Sequence, residues 1–252
     1  MLRNDLVVDV AGLPVHDLSR EQLVDLVAGE ALQTLSDKAA LVFALHVGGL
    51  LHRQNAEFRT ALSDADIVYA DGTSVVKLAR LRGARHIERC VTTDVGWAFL
   101  EAIRERLGRP VRLALVGGPM GLAEQAAAVL SARNGASIVL TEHGFHDAWQ
   151  GVIEEIRTAR PDVVLIGMGA PREMIWAWQH SRKLSGALVV TCGGWFGYLA
   201  GHERRAPKWL SNNSLEWLFR LAQNPRRLLM RYVRGAWVFL RLSRELRQSP
   251  RG

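Results

Sequence analysis

The sequence predicts an α/β protein: a Rossmann-like, mostly parallel sheet with helices on both faces, followed by a basic helical C-terminal appendage. Three observations predict it. Short continuous apolar runs alternate with longer amphipathic ones, the pattern of a parallel sheet whose strands are covered on both faces. Twenty-three glycines and 48% hydrophobic residues in 252 supply the turns and the apolar surface of a substantial core. The net charge of +7 is unevenly placed, with twelve Arg or Lys against three Glu in residues 202–252, and twenty basic against twenty-two acidic side chains before them. A core over residues 1–195 and an appendage over residues 196–252 with a task of its own follow from this asymmetry.

The elements run in order as follows. "LVFALH", Leu41 to His46, reads as a buried strand, and a helical pattern continues to about Ser63. A short strand from Ile67 to Ala70 ends at Asp71. "VRLALVGG", Val111 to Gly118, feeds a helix from about Pro119 to Arg133. "SIVL" (Ser137 to Leu140), "DVVLIGMG" (Asp162 to Gly169) and "ALVVTCGG" (Ala187 to Gly194) complete the strands, with helices between. Ligands of such sheets sit beyond the carboxyl ends of the strands. Asp71, Gly117, Gly118, Gly169 and Gly193 all fall there, so one rim is expected to collect them.

After about Trp195 the alternation stops, and tryptophans, arginines and two prolines punctuate short helices. On a helical wheel, Leu228, Leu229, Tyr232, Val233, Ala236, Phe239 and Leu240 share one broad face, opposite Arg227, Arg231, Arg234 and Arg241. Such a helix suits an anionic membrane interface. It equally suits packing on the main domain with a solvated basic face.

Several classes are set aside. Residues 1–15 carry Arg3, Asp5 and Asp9 and lack the apolar stretch of a secretory signal. No apolar run is long enough to span a bilayer. Cys90 and Cys192 form no CxxC pattern and fit a reduced cytoplasm, not a metal cage or disulfide framework. No nucleophile signature such as Gly-x-Ser-x-Gly occurs.

The candidate motifs each carry a plain alternative. Asp71-Gly72 is a turn or a reaction centre. "GGPMG", Gly117 to Gly121, opens a helix where backbone N–H groups can hold a diphosphate or sugar, or it is a tight turn. It is not the dinucleotide fingerprint. "DAD", Asp64 to Asp66, has the form of a metal-binding Asp-x-Asp, yet it lies at the start of a strand. His46 ends the first strand, as a core hydrogen-bonding group or as part of the rim. His143 and His146, without a carboxylate or Cys at ligand spacing, read as loop or pocket polar groups. Arg172 and Glu173 in "GMGAPREMIWAW" are first-turn surface charges or, at a strand's carboxyl end, face a ligand.

Together these segments resemble the WecG/TagA/CpsF family of bacterial glycosyltransferases, from about Val42 to Tyr232. The resemblance rests on "DADIVYADGTSVV", "RLALVGGPMG", "PDVVLIGMGAPRE" and above all "CGGWFGYLAGHERRAPKWLSNNSLEWLFRLAQNPRRLLMRY". It implies transfer of a sugar, typically of the N-acetylmannosamine type, from a UDP donor to a polyprenyl-diphosphate-linked saccharide. It implies no metal and no cofactor, and a cationic appendage that docks on the membrane and helps close the site. Exopolysaccharide or cell-wall polymer assembly at the inner face of the cell membrane is the expected setting. Asp71 matches the family's proposed general base, which takes the acceptor hydroxyl's proton as it attacks the anomeric carbon with inversion. Charge growing on the diphosphate is met by backbone N–H groups and arginines. The implied donor-side set is His46, Gly72, Arg89, Asp94, Gly117, Gly118, Gly169, Pro171 and Glu173, with Arg220, Arg227 and Arg231 on the appendage.

Departures from the family pattern fall on the donor side. Pro-Lys-Gln-Glu appears as Pro171-Arg172-Glu173-Met174, replacing a donor amide by a carboxyl that only accepts when ionised. Thr-x-Asn is missing from the early strand, where His46 stands nearest the Asn. Thr-Gly-x-Asp reads Thr92-Thr93-Asp94. A glucose-, glucuronate- or amino-sugar-type donor is therefore open. Rival readings are a non-catalytic lipid or nucleic-acid binder using the tail, and a nucleotide-dependent oxidoreductase. The near-neutral main domain offers nucleic acid no continuing track. Nothing in the sequence sets the oligomeric state, and a homo-oligomer is compatible with it.

Overall fold

A computed structural model describes residues 6–32, 37–203 and 225–248, with positions 219 and 221 between. Six parallel strands form the main sheet: β3 (Ala40–Leu45), β4 (Ile67–Ala70), β5 (Arg112–Gly117), β6 (Ser137–Glu142), β7 (Val163–Gly167) and β8 (Leu188–Thr191). Their spatial order is β4-β3-β8-β7-β5-β6. The register pairs Val42 with Ile67 and Leu45 with Ala70 on one side of β3, and Val42 with Val190 on the other. A small antiparallel hairpin, β1 (Val7–Asp9) and β2 (Pro14–His16), precedes the sheet and was not legible in the sequence.

The strands are apolar throughout because both faces are covered. Leu41, Phe43 and Leu45 of β3 join one buried cluster, whereas Val42 and Ala44 join the other, as the two-residue period of a strand requires. The first cluster takes in α3 (Ala56–Ser63), α4 (Thr73–Leu81), α7 (Gln150–Ala159) and α8 (Arg172–His180). The second takes in α1 (Arg20–Glu30), α5 (Thr92–Leu107), α6 (Leu122–Asn134) and α9 (Trp195–Leu199).

The helical pattern after His46 is two helices, not one. A single turn, α2 (Val47–Leu50), is separated from α3 by a break, and Asn55 restarts the helix by accepting from the Phe58 N–H at 2.9 Å.

The last helix, α10 (Pro225–Gln248), packs on α4 and α2. Gly235 makes the approach close: a Cβ there would lie 3.1 Å from Val47 Cγ2. Val238 and Leu242 are buried in the first cluster, with Phe239 and Leu246 packed beside them. The broad apolar face read from the wheel is thus divided. Its Phe239 side turns inward, while Leu229, Val233 and Leu240, with Met230 and Trp237, are 50% to 61% exposed. Arg220 lies outside the described residues, and so do the side chains of Arg227, Leu228 and Arg231. No helix among the described residues is long and apolar enough to cross a membrane.

Candidate active site

The carboxyl ends of the strands do form one rim, and Asp71 stands on it, one residue beyond β4. Its N–H donates to Leu45 O at 2.9 Å, which prolongs the β3–β4 pairing by one residue. Its side chain is half-buried, neither sealed in the core nor fully in water. Thr92 Oγ1 donates to Asp71 Oδ2 at 3.0 Å, and Tyr69 Oη lies 2.8 Å from the same Thr92 oxygen. Gly72 is the N-cap of α4 in extended backbone, and a Cβ there would meet only His46 Cβ, at 3.9 Å.

His46 begins α2 on the neighbouring strand end, its Nδ1 accepting from the Gly48 N–H at 2.9 Å. That bond puts the proton of the neutral ring on Nε2, a donor. The segment between α4 and α5 carries Arg89, half-buried, and leads into Thr92, the first residue of α5. Cys90 N–H ties that segment to Ala70 O at 2.9 Å. Asp17, which belongs to no motif, secures the first half of that segment by accepting from the N–H groups of Arg85, His86 and Ile87 at 2.8, 2.8 and 2.6 Å. Asp94 lies in the first turn of α5, where a carboxylate is favoured by the helix dipole. The N-cap of α5, Val91, supplies no side-chain acceptor to that helix end.

Glu173 is oriented differently from the ligand-facing expectation. The side chain is 1% exposed, and Oε2 accepts from the N–H groups of Met168, Gly169 and Gly193 at 3.2, 2.9 and 3.1 Å. One carboxylate oxygen therefore ties the loop after β7 to the loop after β8. Burial pushes its pKa up to about 7, against the lowering effect of the three backbone bonds, and the charge of Asp71 adds to the rise. Pro171 is the N-cap of α8 and follows a cis peptide bond. Gly169, with φ +80°, supplies the left-handed backbone between β7 and that cap.

Gly117 and Gly118 act chiefly through contact. A Cβ on Gly117 would fall 2.3 Å from Gly167 O, so only glycine lets β5 close on β7 here. The Gly118 N–H, one of the donors expected for a diphosphate, is directed to Gly167 O at 3.0 Å. The turn reading therefore accounts for this pair.

Two metal readings can be tested on geometry. Asp66 accepts from Leu41 N–H at 2.9 Å and Asp64 from Trp178 Nε1 at 2.8 Å, both structural bonds at the amino end of β4, away from the rim. His143 and His146 do have a carboxylate beside them, Glu142, which the spacing argument missed. The two imidazoles stack at 4.0 Å with an interplanar angle of 4°. A ligand lone pair lies in its ring plane, so parallel planes cannot point at one ion, and His143 Nδ1 already accepts from Phe145 N–H at 3.1 Å. The trio as it stands is a stacked polar cluster at the end of β6.

A parallel α/β sheet with a carboxylate on its ligand rim suits many chemistries, and fold alone does not choose among them. Comparison with known families does: the description of the glycosyl transferase WecG/TagA/CpsF family matches residues 8–251. The chain belongs to this family. As a WecG/TagA/CpsF protein it is a glycosyltransferase of polysaccharide biosynthesis, a class that takes a nucleotide-sugar donor and a lipid-linked acceptor. The match extends past Tyr232, where the resemblance read from motifs ends, and includes α10.

Proposed function

We propose that this glycosyltransferase moves a sugar from a UDP donor to a polyprenyl-diphosphate-linked saccharide, with inversion and with Asp71 as general base. The observation that carries the reading is the state of Asp71: half-buried on the rim, with Oδ2 engaged by Thr92. A carboxylate so held takes the acceptor hydroxyl's proton while that oxygen attacks the anomeric carbon from the face opposite the leaving UDP. The departing diphosphate gathers negative charge. Arg89 and the positive end of α5, whose first residue bonds Asp71, are the groups we assign to it, with Arg220, Arg227 and Arg231 of the appendage. His46 Nε2–H stands as a donor near the position where the family's pattern has Asn. Glu173 shapes the rim from behind.

We place the enzyme at the inner face of the cell membrane, with residues 196–252 as the appendage. Leu229, Val233, Trp237 and Leu240 make an outward apolar stripe on α10, and Arg234, Arg241 and Arg244 on the same helix are exposed. Apolar side chains entering the headgroup region, with arginines meeting anionic lipid, are the forces that hold an interfacial helix.

The test is Asp71→Asn. UDP-glucose, UDP-glucuronate and UDP-N-acetyl amino sugars are offered with a short-chain polyprenyl-diphosphate-linked N-acetylglucosamine, and product is followed by mass spectrometry. Loss of a positioned base lowers kcat by about 10²- to 10⁴-fold. Turnover close to that of the unaltered enzyme would remove Asp71 from the role.

A further inference from the structure

Asp71 does not hold its orientation alone. Tyr69 and Asp71 are two residues apart, so an extended chain carries them to the same side of the sheet. Tyr69 and Thr92 are 2% and 3% exposed, and their oxygens lie 2.8 Å apart. Phe99 meets the Tyr69 ring edge-on, at 6.0 Å between centroids, and fixes where its hydroxyl points. Thr92 is the first residue of α5, so no helical carbonyl lies one turn behind it to take its hydroxyl proton.

The direction of each bond follows from what the groups can do. An ionised carboxylate only accepts, so the Thr92 hydroxyl donates to Asp71 Oδ2 at 3.0 Å. The Thr92 oxygen then accepts from the Tyr69 hydroxyl. Burial pushes the Tyr69 pKa well up, and Asp71's charge pushes the same way, so the phenol keeps its proton.

We infer that Tyr69 and Thr92 are positioning residues for sugar transfer: a buried two-hydroxyl relay that holds Oδ2 of Asp71 and so sets how the carboxylate faces the acceptor's hydroxyl. The inference rests on the general-base reading of Asp71. Neither hydroxyl touches a substrate. The relay works by restricting rotation of the carboxylate, since a base turned away from the reacting hydroxyl loses the advantage of being held near it.

The experiment measures kcat and both KM values for Thr92→Val, Thr92→Ser and Tyr69→Phe, using the substrates of the Asp71→Asn test, with thermal midpoints recorded alongside. Thr92→Val keeps the shape of the side chain and lowers kcat by about 10- to 100-fold, the effect of one hydrogen bond to a charged group, with KM nearly unchanged. Thr92→Ser restores most of the rate. Tyr69→Phe gives a smaller loss of the same kind, and it still reports should Thr92→Val fail to fold. In an Asp71→Asn background Thr92→Val costs nothing more.

A second readout needs no substrate. With its three tyrosines labelled by ¹³C at Cζ, the protein gives a Tyr69 line that both Thr92→Val and Asp71→Ala displace. An unmoved line in Asp71→Ala would show the hydroxyl pair to be independent of Asp71 and overturn the inference. So would wild-type kcat in both Thr92→Val and Tyr69→Phe while Asp71→Asn is inactive, and that result leaves the base assignment standing. Near-normal turnover by Asp71→Asn instead removes the base assignment, and this inference with it.

Discussion

Glu173→Gln separates the charge of this side chain from its shape. The carboxyl is fully buried, and its pKa lies near 7 against an ordinary 4.5. A folded-state pKa above the unfolded one means that folding favours the protonated form. The stabilisation is complete below about pH 4.5, falls as pH rises through the interval up to 7, and is gone above it. A gap of about 2.5 units is worth about 3 kcal/mol at 1.36 kcal/mol per unit. Glutamine fills the same space and still offers one oxygen to the N–H groups of Met168, Gly169 and Gly193, but it does not titrate. Urea unfolding of both proteins at half-unit steps from pH 4.5 to 8 is the assay, read as the difference between variant and wild type, in which most other titrations cancel. The stability of Glu173→Gln relative to wild type rises by about 3 kcal/mol between pH 4.5 and 7, then levels off. A difference that stays flat, or falls with pH, would refute the reasoning by showing that the three backbone donors outweigh burial.

Other perturbations address the outer surface and the core. Trp237→Asp, on the outward stripe of α10, weakens binding to phosphatidylglycerol vesicles at least roughly tenfold in a flotation assay, as expected when an apolar anchor becomes an anion. Its thermal midpoint stays close to that of wild type, because Trp237 is 61% exposed. Gly96→Ala places a methyl group 2.5 Å from the Trp195 ring, inside α5 where it packs on α9. Overpacking of that kind costs about 1–3 kcal/mol in denaturant unfolding, although alanine is the better helix former.

The sheet was legible because its strands are covered on both sides and so appear as unbroken apolar runs. Phe43 and Ala44 both had to be apolar, facing different helices. The three-residue strands Val7–Asp9 and Pro14–His16 are too short to show a period. The break before Asn55 was hidden because the apolar residues on either side, Leu50 and Phe58, keep helical spacing across it. Asp71 announced itself as an acid at the end of a strand. Its partners did not: Tyr69 and Thr92 are 23 residues apart and meet only because Cys90 is pinned to Ala70. The direction of Glu173 was equally unreadable, since it depends on the N–H of Gly193, twenty residues away. On α10 a wheel shows which residues share a side, but not how wide a strip the body of the protein covers. Gly235 against Val47 sets that width.

The seat of α10 puts the outermost helix directly on the two that begin at the rim: α2, which starts after His46, and α4, which starts after Gly72. Whatever grips its outward stripe is therefore separated from the carboxylate of Asp71 by roughly two helix thicknesses, about 20 Å. Under the membrane docking we propose, a lipid-borne saccharide need not be carried across the molecule to reach Asp71: the lipid tail stays in its leaflet, and only the head and its sugars lean over the edge of the protein.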